Sequence, residues 1–246
     1  MDALSAAAMP RLRQFGPRDI SALVWACASL LYAPEPLLEA IAGAARARLS
    51  EFDAQAFTNT AWAYATLGVR ADPLMEAIAA AARQRIEDFN PQDLSNTAWS
   101  FAKLGFADEP LREAISAASL SRMSLFRPQG LASLAWSFAT MAFADRPGLE
   151  GISSAALRTM QAFGVRELAN TAWAFATLGV ADAPLLQAMA CAAMERIDEF
   201  RGQGLPNTAW AFAALAVADA PLLHAVSWAA LATMSELAAQ GLSSLA

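Results

Sequence analysis

Gln55, Asn59 and Thr66 form a spaced set of uncharged hydrogen-bonding side chains, and the set returns as Gln92, Asn96 and Lys103 and as Gln129, Ser133 and Thr140. Arg18 with Ser29, Arg166 with Asn170 and Thr177, and Gln203 with Asn207 fill the same places elsewhere; Ala22 and Ala214 are the apolar exceptions. Amides and hydroxyls both donate and accept. Repeated up one side of a molecule, they make a ladder able to hydrogen-bond base edges. A merely solvated face would more often carry Glu and Lys. The chemistry on offer is recognition.

Catalytic chemistry finds no such set. His224 is the single histidine and has no partner of known register. With two scattered cysteines, Cys27 and Cys191, it cannot build a four-ligand zinc site. There is no Gly-rich phosphate loop and no nucleophile elbow. The carboxylates fall at helix ends, where capping accounts for them. We therefore expect no enzyme, no metal, no cofactor and no small-molecule substrate.

What positions the ladder is a repeat. Trp25, Trp62, Trp99, Trp136, Trp173 and Trp210 are spaced by 37 residues without a slip. Phe15, Phe52, Phe89, Phe126, Phe163 and Phe200 keep that interval, as do Pro36, Pro73, Pro110, Pro147, Pro184 and Pro221. A fixed period in this range marks stacked supersecondary units. Alanine and leucine dominate and β-branched residues are few, which favours helix. The pattern predicts a first helix, A, of some fourteen residues starting near 17, 54, 91, 128, 165 and 202. Asp53 and Asn90 read as its N-caps, Pro91 and Pro128 suit its first turn, and Gly68, Gly105 and Gly179 suit a left-handed C-cap. A second helix, B, opens at the Pro and is expected to continue to the Phe. The fold expected is all-α: an α-solenoid of stacked helical hairpins with a 37-residue repeat.

On a helical wheel with Trp at zero, Leu94, Phe101 and Leu104 and their counterparts fall at roughly 140–220°, which makes them the core face. The Gln/Arg, Asn and Thr/Lys positions fall at roughly 20–60°, on the opposite side. Asn has two open readings: an RNA contact, or a bond to the backbone of the adjacent repeat. Trp could stack a base, but wedging between successive A helices fits its invariance better. Thr60, Thr97, Thr171 and Thr208 point toward the core, where each hydroxyl is expected to bond back to the preceding turn.

Helix B carries Arg46, Arg48, Arg83, Arg85, Arg122, Arg158 and Arg196. Arg48, Arg85 and Arg122 are in register and are candidate phosphate contacts; the alternative is a solvated face paired to nearby acids. The overall balance runs against nucleic acid, with 17 basic and 23 acidic residues and a net charge of −6. Hydropathy invites a membrane reading of residues 168–194, but Gly179, Asp182 and Pro184 turn the chain there. We expect two short helices and no membrane segment. Cys27 and Cys191 lie in distant repeats, so no disulfide and a reducing compartment are expected.

Stacked on the Trp, the chain divides as a partial repeat at 1–15 (second helix only), repeats at 16–52, 53–89, 90–126, 127–163, 164–200 and 201–237, and the start of a seventh at 238–246. Both ends then fall inside a repeat, so the chain is expected to be a fragment of a longer array, with any targeting segment lying outside it.

The motifs LSNTAWSFAKLG, FTNTAWAYATLG, LANTAWAFATLG and LPNTAWAFAALA resemble the repeat of organellar RNA-binding solenoids. The period matches the heptatricopeptide-repeat proteins. The repeat is also similar to octotricopeptide repeats, to the helical repeats of FASTK-like and RAP-domain proteins, and to a module in a subunit of RNA-editing substrate-binding complexes. The resemblance covers essentially the whole chain. It implies binding of single-stranded RNA in a mitochondrion or plastid, at about one base per repeat, in transcript processing, stability, ribosomal RNA assembly or editing. Carried over by position, the contacts fall on Arg18, Gln55, Asn59, Thr66, Gln92, Asn96, Lys103, Gln129, Ser133, Thr140, Arg166, Asn170, Thr177, Gln203 and Asn207. The acid excess departs from such binders and keeps a second reading open, a scaffold that holds a helix or peptide.

Overall fold

A computed structural model describes residues 5, 7–200, 204–217, 221–222 and 224–227. The start of the proposed seventh repeat and Gln203 lie outside them. Among the described residues every regular element is helical. The A helices are α1 (Pro17–Ser29), α3 (Ala54–Leu67), α5 (Pro91–Leu104), α7 (Pro128–Thr140), α9 (Val165–Thr177) and α11 (Gly204–Ala214). The B helices are α2 (Glu35–Ala47), α4 (Asp72–Gln84), α6 (Glu109–Ser121), α8 (Arg146–Thr159) and α10 (Ala183–Glu195). This is the all-α solenoid architecture, and the helices group into two compact units, Met1–Phe126 and Arg127–Ala246.

Within each unit the layers follow the same rule. A helices pack broadly along A helices, α1 on α3 on α5 in the first unit and α7 on α9 on α11 in the second. B helices meet their B neighbours far more sparingly. The asymmetry follows from side-chain size. Ala61, Ala63, Ala65, Ala98, Ala172 and Ala174 are fully or nearly fully buried, and such small residues let A helices approach closely. The core face is where the wheel puts it, with Leu94, Phe101 and Leu104 all buried.

The termini of the helices are written in the sequence. Asp53 accepts from the Ala56 amide at 2.8 Å, and Asn90 accepts from those of Gln92 and Asp93 at 2.8 and 3.0 Å. Asp108, Asp145 and Asp182 cap the B helices, accepting from Leu111, Gly148 and Leu185. Each satisfies an amide that helix geometry leaves without a partner.

Helix A ends on a left-handed residue in every repeat, and in three repeats that residue is not glycine. Gly68, Gly105 and Gly179 have φ of 65–68°, while Leu31, Ala142 and Ala216 hold φ of 50–54° at the same register. A left-handed L-residue costs ~1–2 kcal/mol, and replacing it with Gly gives back ~0.5–1 kcal/mol of chain entropy. Ala142→Gly should therefore raise stability by up to about 1 kcal/mol. Gly105→Ala should lower it by a similar amount, since a Cβ there meets nothing within 4 Å and the backbone strain stands alone. Thermal midpoints of the two variants, moving in opposite directions, check this.

Helix B does not reach the Phe. It stops at Arg48, Arg85, Arg122 and Arg196, whose φ of −121 to −128° and ψ of 11 to 24° leave helical space. One 3-10 turn follows, at Leu49–Glu51, Ile86–Asp88, Met123–Leu125, Met160–Ala162 and Ile197–Glu199. The break re-aims the chain so that Phe52, Phe89, Phe126, Phe163 and Phe200 drop into the core at 0–4% exposure. Apolar periodicity continues across the break, which is why the sequence reads there as unbroken helix.

Candidate nucleic-acid interface

The A helices carry the polar ladder on the side away from the Leu and Phe core. In their first turns Arg18, Gln55, Gln92, Gln129 and Arg166 are exposed. One turn on, Asn59, Asn96, Ser133, Asn170 and Asn207 are half-buried. Near the C-terminal ends Lys103, Thr140 and Thr177 are exposed; Thr66 is half-buried, and its hydroxyl is enclosed with no partner. The structure thus puts Arg18, Gln55, Asn59, Thr66, Gln92, Asn96 and Lys103 on the A layer of the first unit. It puts Gln129, Ser133, Thr140, Arg166, Asn170, Thr177 and Asn207 on that of the second.

The amides of Asn59, Asn96, Asn170 and Asn207 have no hydrogen-bond partner among the described residues. A half-buried amide without a partner forfeits hydrogen-bond energy unless water or a ligand supplies one. Their use as backbone clasps between repeats, one of the two readings of the sequence, has no bond to carry it among the described residues.

Clasping is done elsewhere. Arg48 donates to the Phe15 carbonyl, Arg85 to that of Phe52, and Arg196 to that of Phe163. Each bond joins one repeat to the Phe that closes the previous one. Arg122 makes the variant form, donating to the Glu87 carbonyl at 2.9 Å and to its carboxylate at 2.8 Å. The same guanidinium groups meet local acids, Arg48 with Glu51 at 2.6 Å and Arg85 with Asp88 at 3.1 Å. Arg48 holds the Glu51 carboxyl below the usual range by that hydrogen bond. The register stripe Arg48, Arg85, Arg122 is therefore built into the joints between repeats. Arg46, Arg83 and Arg158 are exposed on the B layer. Arg127, a cation the sequence reading passed over, is exposed at the N-cap of α7.

The core threonines divide. Thr208 bonds back to the Gly204 carbonyl at 2.9 Å, as expected. Thr97 instead meets Thr58 across the α3–α5 interface at 3.3 Å, while the hydroxyls of Thr60 and Thr171 are buried without a partner. At Thr97 helix A of the previous repeat offers a hydroxyl within hydrogen-bond distance. Asp93, at 6% exposure, lies on the same interface. Burial pushes its carboxyl up, against hydrogen bonds from the Asn90 amide and Thr58.

The tryptophans differ in how far they are enclosed. Trp62, Trp99, Trp136 and Trp173 are half-buried, and Trp136 and Trp173 lie 6.5 Å apart at 30°, offset face to face. Trp25 and Trp210 are about half exposed, at 48% and 49%.

Each unit carries a cleft among its described residues. In the second unit, α9 and α11 frame one of about 380 Å³, walled by Arg166, Asn170, Asn207 and Glu199 with Phe200 beneath. It gathers three ladder residues and one that sequence reasoning missed: Glu199 sits on the 3-10 turn, read from sequence as plain helix. In the first unit, α2 and α4 frame a cleft of about 780 Å³ on the B layer, edged by Glu35, Glu39, Arg46 and Arg70 and backed by Tyr64, whose hydroxyl donates to the Leu38 carbonyl at 2.6 Å. Cys27 is a buried free thiol and Cys191 an exposed one. Among the described residues no helix is long and apolar enough to cross a membrane, and no group of three or more His, Cys, Asp or Glu is placed to hold a metal ion.

Comparison with known proteins gives one family. The model for the RNA-editing substrate-binding complex 6 protein matches residues 1–177 and, in a second overlapping register, 84–246. A chain of like units admits such double matching. No curated protein matches the chain. Within the group of resemblances the match falls on the RNA-editing-associated kin, and it lends nothing to the heptatricopeptide or octotricopeptide assignment.

Proposed function

The chain belongs to the family of the RNA-editing substrate-binding complex 6 protein, and from that membership we propose that it is a non-catalytic module binding single-stranded RNA along the A-helix face. The observation that carries this reading is the ladder of unpartnered amides, Asn59, Asn96, Asn170 and Asn207, flanked by exposed Gln, Thr, Lys and Arg. Half-buried amides between exposed neighbours suit base edges displayed by unpaired strands. Arg18, Arg127, Arg166 and Lys103 supply the cations of that face, and phosphate contact falls to them and to exposed Arg46 and Arg83 more readily than to the clasping Arg48, Arg85 and Arg122. Such a module acts by occupying a transcript, at about one base per repeat, in editing or related processing. A mitochondrion or plastid is the compartment this role implies.

A second reading has its own support. The acid excess and the mixed-charge cleft between α2 and α4 suit a protein partner, a helix or peptide bearing both signs of charge. Fluorescence anisotropy with short labelled single-stranded RNAs, at low and near-physiological salt, separates the two. The RNA reading expects saturable, salt-sensitive binding. Replacing Gln55, Gln92 and Lys103 together by Ala should weaken it about a hundredfold, from three contacts of ~1 kcal/mol each. A folded protein that binds no RNA even at low salt belongs to the second reading.

A further inference from the structure

The wall of the α9–α11 cleft holds a carboxylate that no described residue neutralises. Glu199 stands at a register position occupied by Gln14, Glu51, Asp88, Leu125 and Ala162 in the other copies. That is five residue types in six copies, while the nearby Phe never changes. Where the acid recurs in the first unit it is answered: Glu51 by Arg48 at 2.6 Å and Asp88 by Arg85 at 3.1 Å. In the second unit Arg196 stands in the same relation to Glu199 but spends its guanidinium on the Phe163 and Gln161 carbonyls. Glu199 has no hydrogen-bond or ion-pair partner among the described residues and is exposed on the cleft wall.

Gly204 lines the cleft beside it. Gly204 takes the place held by Asp93 in α5 and Glu167 in α9. A Cβ there would lie 3.0 Å from the Phe200 ring, so any side chain would crowd the floor. What remains is a slot of about 380 Å³ with an aromatic floor and apolar flanks at Val165 and Ala169. Around its rim stand the unpartnered amides of Asn170 and Asn207, the Arg166 cation and the Glu199 anion. A pocket of that size, apolar with a few convergent polar groups, suits a single planar ligand.

Resting on the RNA reading above, we propose that this cleft takes one nucleobase and that Glu199 makes it selective for guanine. A carboxylate accepts through two oxygens side by side. Guanine alone among the four bases sets two N–H donors, N1–H and the 2-amino group, adjacent on its Watson–Crick edge. Adenine and cytosine put an acceptor nitrogen beside their single amino group, and uracil flanks its N3–H with two carbonyls. Each of these sets a lone pair against the carboxylate, which also repels the strand's phosphates. The anion is thus a penalty that guanine lifts and the other bases do not. Arg166 holds the backbone of the same nucleotide, and Asn170 and Asn207 take its remaining polar atoms.

The test uses the full chain and two labelled strands, an oligouridine and the same oligouridine carrying one guanosine, with anisotropy as the readout. The guanosine should strengthen binding about tenfold, toward the lower end of what a bidentate base contact discriminates. Glu199→Ala and Glu199→Gln should remove that preference while leaving oligouridine binding equal or tighter, because a negative charge has gone. Equal binding of both strands by the parent protein, or a guanosine preference that survives Glu199→Ala, overturns the proposal while the RNA reading stands. Binding of neither strand by the folded protein overturns both.

Discussion

Phe89→Ala should destabilise the first unit by about 3–5 kcal/mol, the range for emptying an aromatic site in a closed core. Phe89 is 1% exposed and lies 6.4 Å from Phe57, nearly parallel to it, while Phe57 in turn meets Phe52 at 5.7 Å. The ring is therefore packed on helix A of its own repeat, at Phe57, which in turn meets the Phe52 that closes the preceding repeat, and its loss opens a void beside that joint. In an array, stability is a sum of unit terms and nearest-neighbour interface terms, so a joint residue weakens two units at once. Urea midpoints should show the loss, with Phe89→Leu costing a fraction of it. Leu125→Ala is the control: it sits on the same kind of 3-10 turn but is 67% exposed, so its midpoint should hardly move. If the two Ala variants behave alike, the Phe register marks sequence history and not the core.

That a joint exists at each Phe was legible in the sequence; how the chain gets there was not. The period, the Leu and Phe core stripe, the N-caps at Asp53 and Asn90 and the left-handed glycines at 68, 105 and 179 are local signals, each with a residue type that the geometry demands. The 3-10 turns carry no such signal. Arg85 and Thr159 occupy the same break, and neither residue type is a helix breaker, so the end of helix B is imposed by the packing of the Phe that follows. The three left-handed residues Leu31, Ala142 and Ala216 escape for a related reason: the fold holds them in a conformation their own chemistry disfavours.

The candidate face shows the same division. The exposure of Gln55, Gln92 and Gln129 follows from the wheel, because angle on a helix is local information. Glu199 and Phe200 join Asn170 and Asn207 at one cleft only through contacts between separate elements, within one repeat and across to the next, and no periodicity within one helix reports those. Register is ambiguous for charge. It made Arg48, Arg85 and Arg122 candidates for phosphate or for a face paired to local acids, and register is equally what a structural clasp needs, since every joint must be closed in the same place.

Arg85→Ala decides between clasp and phosphate contact by where its effect falls. As a clasp, Arg85 donates to the Phe52 carbonyl and to the Asp88 carboxylate. The first of these bonds serves a carbonyl at the end of a 3-10 turn, in extended backbone that no helix satisfies. Hydrogen bonds from charged donors contribute about 1.5–3 kcal/mol, and the Asp88 pair, open to solvent, adds little to that. Arg85→Ala should therefore lower the stability of the first unit by about 1.5–3 kcal/mol. Arg83→Ala, two residues away and exposed, should leave it within about 0.5 kcal/mol of the parent. Arg85→Lys should fall in between, because a single ammonium can reach one acceptor but cannot fork between carbonyl and carboxylate. A phosphate contact makes the opposite pattern: stability unchanged, RNA affinity reduced, and the salt dependence of binding shallower by about one ion. If Arg85→Ala unfolds at the parent's urea midpoint while its RNA affinity falls, the clasp is incidental and the stripe returns to the binding surface. If stability falls and affinity per folded molecule holds, the in-register arginines are what keeps one repeat seated on the next.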